Sequence, residues 1–153
     1  AGPWQMGRVD QGVAALWVAR HIYGGSLAYI GYGGTGKQVR DMLHVDDLLA
    51  LILQQITLLE TLRGKVFNVG GGAANSASLV ELTEFCQQIT AREIPVGSDP
   101  ETRAGDIPFY ITDNARIQQV CAWKPEKNIP TIIEDIARWI TDNHAMLQST
   151  LNV

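Results

Sequence analysis

A surplus of basic charge, a set of paired cysteines and a long apolar run are all missing from this chain, and each absence narrows what it can do. Its 12 lysines and arginines are outnumbered by 16 acidic residues, for a formal net charge of -4, so nothing is in excess to track a phosphate backbone. Nucleic acid is therefore not an expected partner. A single small anion remains open, because two arginines in one pocket can hold it whatever the net charge. The two cysteines, Cys86 and Cys121, stand in no Cys-x-x-Cys or Cys/His spacing, which leaves no disulfide framework and no metal-ligand pattern. A reducing, cytoplasmic setting is the default expectation. No apolar run reaches the ~18 residues of a membrane span and no charged-then-apolar leader is visible, so no membrane partner is expected. What is present, 46% hydrophobic and 18% charged residues over 153, suits one soluble globular domain. The opening Ala1-Gly2-Pro3-Trp4 has no methionine and is loop-like, which suggests a piece of something longer.

The stretch Lys37 to Leu49 organises the rest. Val39, Met42, Leu43 and Val45 form an apolar run too short for a helix, and Asp46-Asp47 after it offers side-chain acceptors to orphan helix N–H groups. The spacing predicts strand, N-cap, helix. Arg40 enters this strand from a loop, so rigid elements would hold a planar fork suited to phosphate oxygens. A plain surface ion pair is the competing reading.

Before that stretch, residues 2–12 read as a loop bearing Trp4, Gln5 and Gln11, able to line a pocket. Val13 to Tyr23 keeps helical spacing and is closed by Gly24-Gly25, and Ser26 to Tyr32 reads as a strand. Gly31 to Gly36 satisfies G-x-G-x-x-G, and Gly31 to Lys37 satisfies most of a Walker A loop. The setting rejects both. A dinucleotide fingerprint opens a helix and a Walker A lysine is followed by a hydroxyl residue, whereas here Gln38 follows and the chain enters a strand.

Downstream, a helix from Asp46-Asp47 to about Arg63, stopped by Gly64, is apolar on nearly all sides and needs cover on more than one. Residues 65–70 read as a buried strand. Ser78-Leu79-Val80-Glu81 is a capping box opening a helix to about Thr90, with Cys86 in or beside its buried face. Ile94 to Val96 and Phe109 to Ile111 suit short strands, with a loop between them that carries Arg103 and Asp106 around an Ala-Gly step. Asp113 caps a short helix over Ala115 to Cys121. Pro130 with a second capping box at Thr131 and Glu134 begins a last helix whose stripe runs from Ile132 to Leu147. His21, His44 and His144 are scattered and form no acid–base set.

Taken in order, Gly-Lys-Gln-Val-Arg-Asp-Met-Leu-His-Val-Asp-Asp-Leu (36–48), Val-Phe-Asn-Val-Gly (66–70), Ser-Leu-Val-Glu (78–81), Arg-Ala-Gly-Asp (103–106) and Trp-Lys-Pro (123–125) resemble the C-terminal portion of the extended short-chain dehydrogenase/reductase family, the NAD-dependent epimerases and dehydratases of nucleotide sugars. Within it, Gly-Pro-Trp-Gln-Met-Gly followed by Val-Asp-Gln-Gly-Val is most like the CDP-sugar 2-epimerase branch. The resemblance implies a small mixed α/β substrate-binding domain over residues 1–153, lacking the N-terminal Rossmann domain, with residues 65–70 contributed to that absent sheet. It implies that Arg40 and Arg103 clamp a pyrophosphate and that Asp106 bonds a ribose hydroxyl. Leu27, Ala28, Tyr29 and Ile30 would flank the base, and Trp4, Gln5 and Gln11 would face the sugar. NAD is implied for the parent enzyme and none for this chain, because the family's Y-x-x-x-K pair and NAD fingerprint are not in it. Lys37 is five places after Tyr32, one too many. The chain alone should not turn over, and its uncovered faces should drive it to a homo-oligomer or swapped dimer. The alternative is a non-catalytic interaction or oligomerisation module.

Overall fold

A computed structural model of the chain describes residues 1–5 and 12–151. Gln11, expected at the sugar, lies outside the described residues. Helix α1 (Val13–Tyr23) is closed by Gly24, whose N–H donates to the Arg20 carbonyl at φ +96°, a conformation that favours glycine. Strand β1 (Leu27–Ile30), a 3-10 turn over Tyr32–Gly34 and strand β2 (Val39–Asp41) follow. Next come α2 (Val45–Thr57), a single turn α3 (Leu59–Leu62), β3 (Ser76–Ser78) and α4 (Leu79–Thr90). The chain ends through β4 (Val96–Asp99), β5 (Phe109–Tyr110), α5 (Ala115–Cys121), α6 (Ile129–Asp142) and α7 (His144–Thr150).

Two small sheets tie the loops together. β1 lies parallel to β4, from Leu27 opposite Val96 to Ile30 opposite Asp99. β2 is the middle strand of the other, antiparallel to β3 and parallel to β5, so Arg40 stands between Ala77 and Tyr110. A central strand cannot slide without breaking two ladders, and this holds the Arg40 backbone still.

The apolar residues sort into two cores. The larger joins α1, α4, α6 and α7 through Val18, Leu82, Cys86, Ile133, Ile136 and Leu147, all fully buried. The smaller gathers Leu51, Leu62, Ile117, Cys121 and Trp123, with Phe67 and Val69 packed against it. Trp123 ties this core to α2: its indole N–H donates to the Asp47 carbonyl at 3.0 Å.

Several expected boundaries move, for physical reasons. The strand over 39–45 stops at Asp41, because Met42 onward has turned toward the helix, its N–H donating to the Asn75 carbonyl. The N-cap is His44 rather than Asp46-Asp47: its Nδ1 accepts from the Asp46 N–H at 3.0 Å. Asp47 is occupied elsewhere, its carboxylate accepting from the N–H groups of Glu126 and Lys127, both at 3.1 Å. The long helix to Arg63 is broken at Leu58, and Gly64 then takes a left-handed φ of +73°. Residues 65–70 form no strand among the described residues, although Phe67 and Val69 face the core and Val66 and Asn68 face out, as a strand would place them. The strand near Ile94–Val96 lies later, at Val96–Asp99. The box expected at Thr131 and Glu134 gives way to Asn128, whose side chain accepts from the Thr131 N–H, since Ile129 is buried and belongs inside the helix. The last stripe is split between α6 and α7 at Asn143. Ser78 and Glu81 do form their reciprocal box, and Cys86 is fully buried.

Candidate functional site

Arg40 and Asp106, 66 residues apart in sequence, meet at the edge of the three-stranded sheet. Arg40 Nη2 donates to Asp106 Oδ1 at 2.7 Å, and Nη1 donates to the Val39 carbonyl at 2.8 Å, so the guanidinium is held from two sides. Both side chains are about one third exposed. The pair is therefore steady yet open to a ligand, and as an ion pair alone it would contribute little. Asp106 sits in a turn closed by its own N–H to the Arg103 carbonyl at 3.1 Å, which carries Arg103 on the same loop. Arg103 is exposed and forms no ion pair with a described residue. Asp106 Oδ1 also accepts from the Ile107 N–H at 2.9 Å, so both of its hydrogen bonds to described residues fall on one oxygen, leaving Oδ2 for another partner.

The glycine loop lies against this pair. Tyr32 has φ +50°, an uncommon conformation for a bulky residue, and its N–H donates to Thr102 Oγ1 at 2.9 Å. That bond joins the 31–36 loop to the loop of Arg103 and Asp106. The Tyr32 hydroxyl is buried without a hydrogen-bond partner among the described residues, as is Gln38 Oε1, while Gln38 Nε2 holds the Ile30 carbonyl at 2.9 Å. Burial and the Asp106 carboxylate raise the Tyr32 pKa, and Arg40 opposes them. Neither Tyr32 nor Gln38 stood among the residues expected from sequence. One signal was there: Tyr32 is the lone bulky residue in Gly31-Tyr32-Gly33-Gly34.

This loop does not fit a dinucleotide. A Cβ on Gly34 would collide with Ser98 Oγ, and one on Gly36 would lie 2.8 Å from the Tyr29 ring, so the space these glycines open is filled by protein rather than left for a pyrophosphate. The Tyr29 hydroxyl donates to Thr83 Oγ1 at 3.0 Å, and Leu27 is 7% exposed, its side chain spent on the larger core. Ala28 and Ile30 keep partial exposure. Trp4, at the opposite end of the expected set, packs its ring on Trp139 of α6 at 5.6 Å, and Gln5 is exposed beside it.

Other polar clusters are structural in character. Asp135 accepts from Lys127 Nζ at 2.6 Å and lies 3.6 Å from His44 Nε2, beneath α2. Burial pushes the Cys86 thiol up to about 12, which makes it an inert core residue. No group of His, Cys, Asp and Glu able to hold a metal ion occurs among the described residues, and no described helix is long and apolar enough to cross a membrane.

The architecture is that of one part of an extended short-chain dehydrogenase fold. Residues 1–70 match the NAD dependent epimerase/dehydratase family. It is 29% identical over 106 residues to a CDP-paratose 2-epimerase of Salmonella typhi, covering 69% of this chain and 31% of that protein. A UDP-glucose 4-epimerase of Corynebacterium glutamicum is 32% identical over 101 residues, 65% of this chain and 30% of its own. Among solved structures, UDP-glucose 4-epimerase of Thermotoga maritima with UDP-glucose superposes with a TM-score of 0.76 at 24% identity, over 94% of this chain and 44% of that one. The chain thus spans about a third of the length of the curated relatives it matches.

Proposed function

We propose that the chain is the substrate-recognition half of an NAD-dependent nucleotide-sugar epimerase, of the CDP-sugar 2-epimerase kind. One observation carries the reading: a guanidinium fixed on a central strand by Asp106, with a second one, Arg103, which forms no ion pair with a described residue, on the turn that Asp106 closes. Two forks from separate elements suit the oxygens of a diphosphate. Arg40 and Arg103 take the pyrophosphate, Asp106 Oδ2 accepts from a ribose hydroxyl, and Ala28, Tyr29 and Ile30 lie along the base. The cytidine preference is supported by the likeness to the Salmonella protein. NAD, which supplies hydride transfer in this family, finds no site in the glycine loop of this chain, and its binding falls to the rest of the protein. Residues 65–70, whose side chains already alternate in burial, join that other part's sheet, and α2 covers one face of it.

Calorimetric titration with CDP, UDP and dTDP tests the reading. We expect salt-sensitive binding with CDP preferred, and a loss of about tenfold or more for Arg103→Ala, the usual scale for a charge-assisted hydrogen bond. Equal binding by that variant would remove the pyrophosphate assignment. A second reading, an oligomerisation module, is favoured by the exposed apolar side of α2 and α3. It predicts association without any nucleotide and no calorimetric signal with one.

A further inference from the structure

Arg40 is held by contacts of two kinds. Its Nη1 donates to two backbone carbonyls, Val39 on its own strand at 2.8 Å and Pro108 just before β5 at 3.5 Å. Neither involves Asp106, so these contacts keep the guanidinium in place without the carboxylate. The Asp106 contact is different in kind. It is a single bond, Nη2 to Oδ1 at 2.7 Å, whereas the strongest guanidinium–carboxylate pairs use two parallel bonds. Asp106 is also retained by its own loop: Oδ1 accepts from the Ile107 N–H at 2.9 Å, and the Asp106 N–H donates to the Arg103 carbonyl at 3.1 Å. Each partner is thus anchored elsewhere. With both side chains about one third exposed, the bond between them is weak and can be exchanged.

We propose that Asp106 is an internal competitor: its Oδ1 and a phosphate oxygen of the diphosphate contend for the same donor, Arg40 Nη2, and binding exchanges one for the other. The inference rests on the nucleotide-sugar reading above and adds to it a device that regulates the same site. A diphosphate brings more negative charge to the guanidinium than one carboxylate does, and the two anions repel, so the phosphate takes Nη2 and Asp106 gives it up. Asp106 does not leave the site. The Ile107 N–H still holds Oδ1, and Oδ2 stays available to the ribose hydroxyl. The exchange also sets a threshold, because a singly charged anion gains little over the carboxylate it displaces, while a diphosphate gains from Arg40 and Arg103 together.

Inorganic pyrophosphate isolates the competition, since it has no ribose for Asp106 to bind. Asp106→Asn keeps the size of the side chain and an acceptor for the Ile107 N–H but removes the competing charge. We expect calorimetry to show this variant binding pyrophosphate about fivefold tighter than the wild type, the scale of an exposed ion pair. Asp106→Ala should gain as well, because Nη1 stays on its two carbonyls. Glu101→Gln makes the same charge change on the same loop at an exposed residue with no bond to Arg40, and its affinity for pyrophosphate should stay near that of the wild type. Unchanged or weaker pyrophosphate binding in either Asp106 variant would overturn the proposal and leave Asp106 as a clamp that positions Arg40. An equal gain in Glu101→Gln would overturn it too, by showing that general charge and not the shared donor is responsible. In both cases the diphosphate site itself stands. If neither the wild type nor Asp106→Asn binds pyrophosphate, the diphosphate reading falls, and this proposal with it.

Discussion

His44 shows how one side chain ties pH to the fold. Its Nδ1 accepts the Asp46 N–H, which places the proton of the neutral ring on Nε2, 3.6 Å from the Asp135 carboxylate. Asp46 and Asp135 favour a second proton, but burial and the neighbouring Lys127 outweigh them, and the pKa falls below its usual 6.5. His21 is depressed in the same direction, by burial first. A histidine depressed in the folded state contributes stability that is fully present above its unfolded pKa and lost as pH falls through that value toward the folded one. A protonated Nδ1 also cannot accept, so the cap of α2 is lost. We expect the urea midpoint to drop between pH 7.5 and pH 5, and to drop less in His44→Asn, which keeps an acceptor at the cap and cannot titrate. An identical drop in the two proteins would exclude His44 as a source. At this scale the sequence was a partial guide. Arg40 and Asp106 were both legible as candidates, yet their pairing was not, because a contact across 66 residues leaves no local pattern. Asp46-Asp47 looked the better cap, and nothing local reveals that Asp47 is occupied by the amides of 126 and 127.

Among the elements, legibility follows how local the determining forces are. The box at α4 is set by residues three apart and forms as spaced, with Ser78 Oγ accepting from the Glu81 N–H at 3.2 Å and Glu81 answering to the Ser78 N–H at 2.8 Å. Ser78→Ala should cost about 1 kcal/mol in chemical denaturation, and a cost near zero would mean water replaces the cap. The start of α6 was placed too late because Pro130 and Thr131 carry the local signals, while burial of Ile129 decides the matter from a distance. Ile133, fully buried between α6 and its neighbours, should show the larger effect: Ile133→Ala is expected to lose about 2–5 kcal/mol, measured the same way. Residues 65–70 mark the limit. Their alternation was readable, but a ladder needs a second strand, and among the described residues none lies beside them.

For the whole molecule, what stays uncovered matters more than what is packed. Leu49, Leu53, Ile56 and Leu59 on α2 and α3 are each more than half exposed, and Val66 is 78% exposed. Leu49, Leu53 and Ile56 share one face of α2 by their spacing, and an exposed apolar stripe is a feature of interaction surfaces. We expect sedimentation velocity of the 153-residue chain to show association that grows with concentration, and Leu53→Glu with Ile56→Glu to suppress it without lowering helix content by circular dichroism. A monodisperse monomer across the series would show that the face tolerates water.

One side chain sets how such an assembly can line up. The Asn114 amide donates to the Gly70 carbonyl at 2.8 Å and its Oδ1 accepts from the Gly70 N–H at 3.0 Å, which is what a neighbouring peptide group would offer. Asn114 thus acts as the final rung at Gly70. A strand arriving on that side finds Asn68 and Val66 open to it, and Gly70 already taken. The amide would work as an end stop for a strand added there, and Asn114→Ala would remove that limit on its alignment.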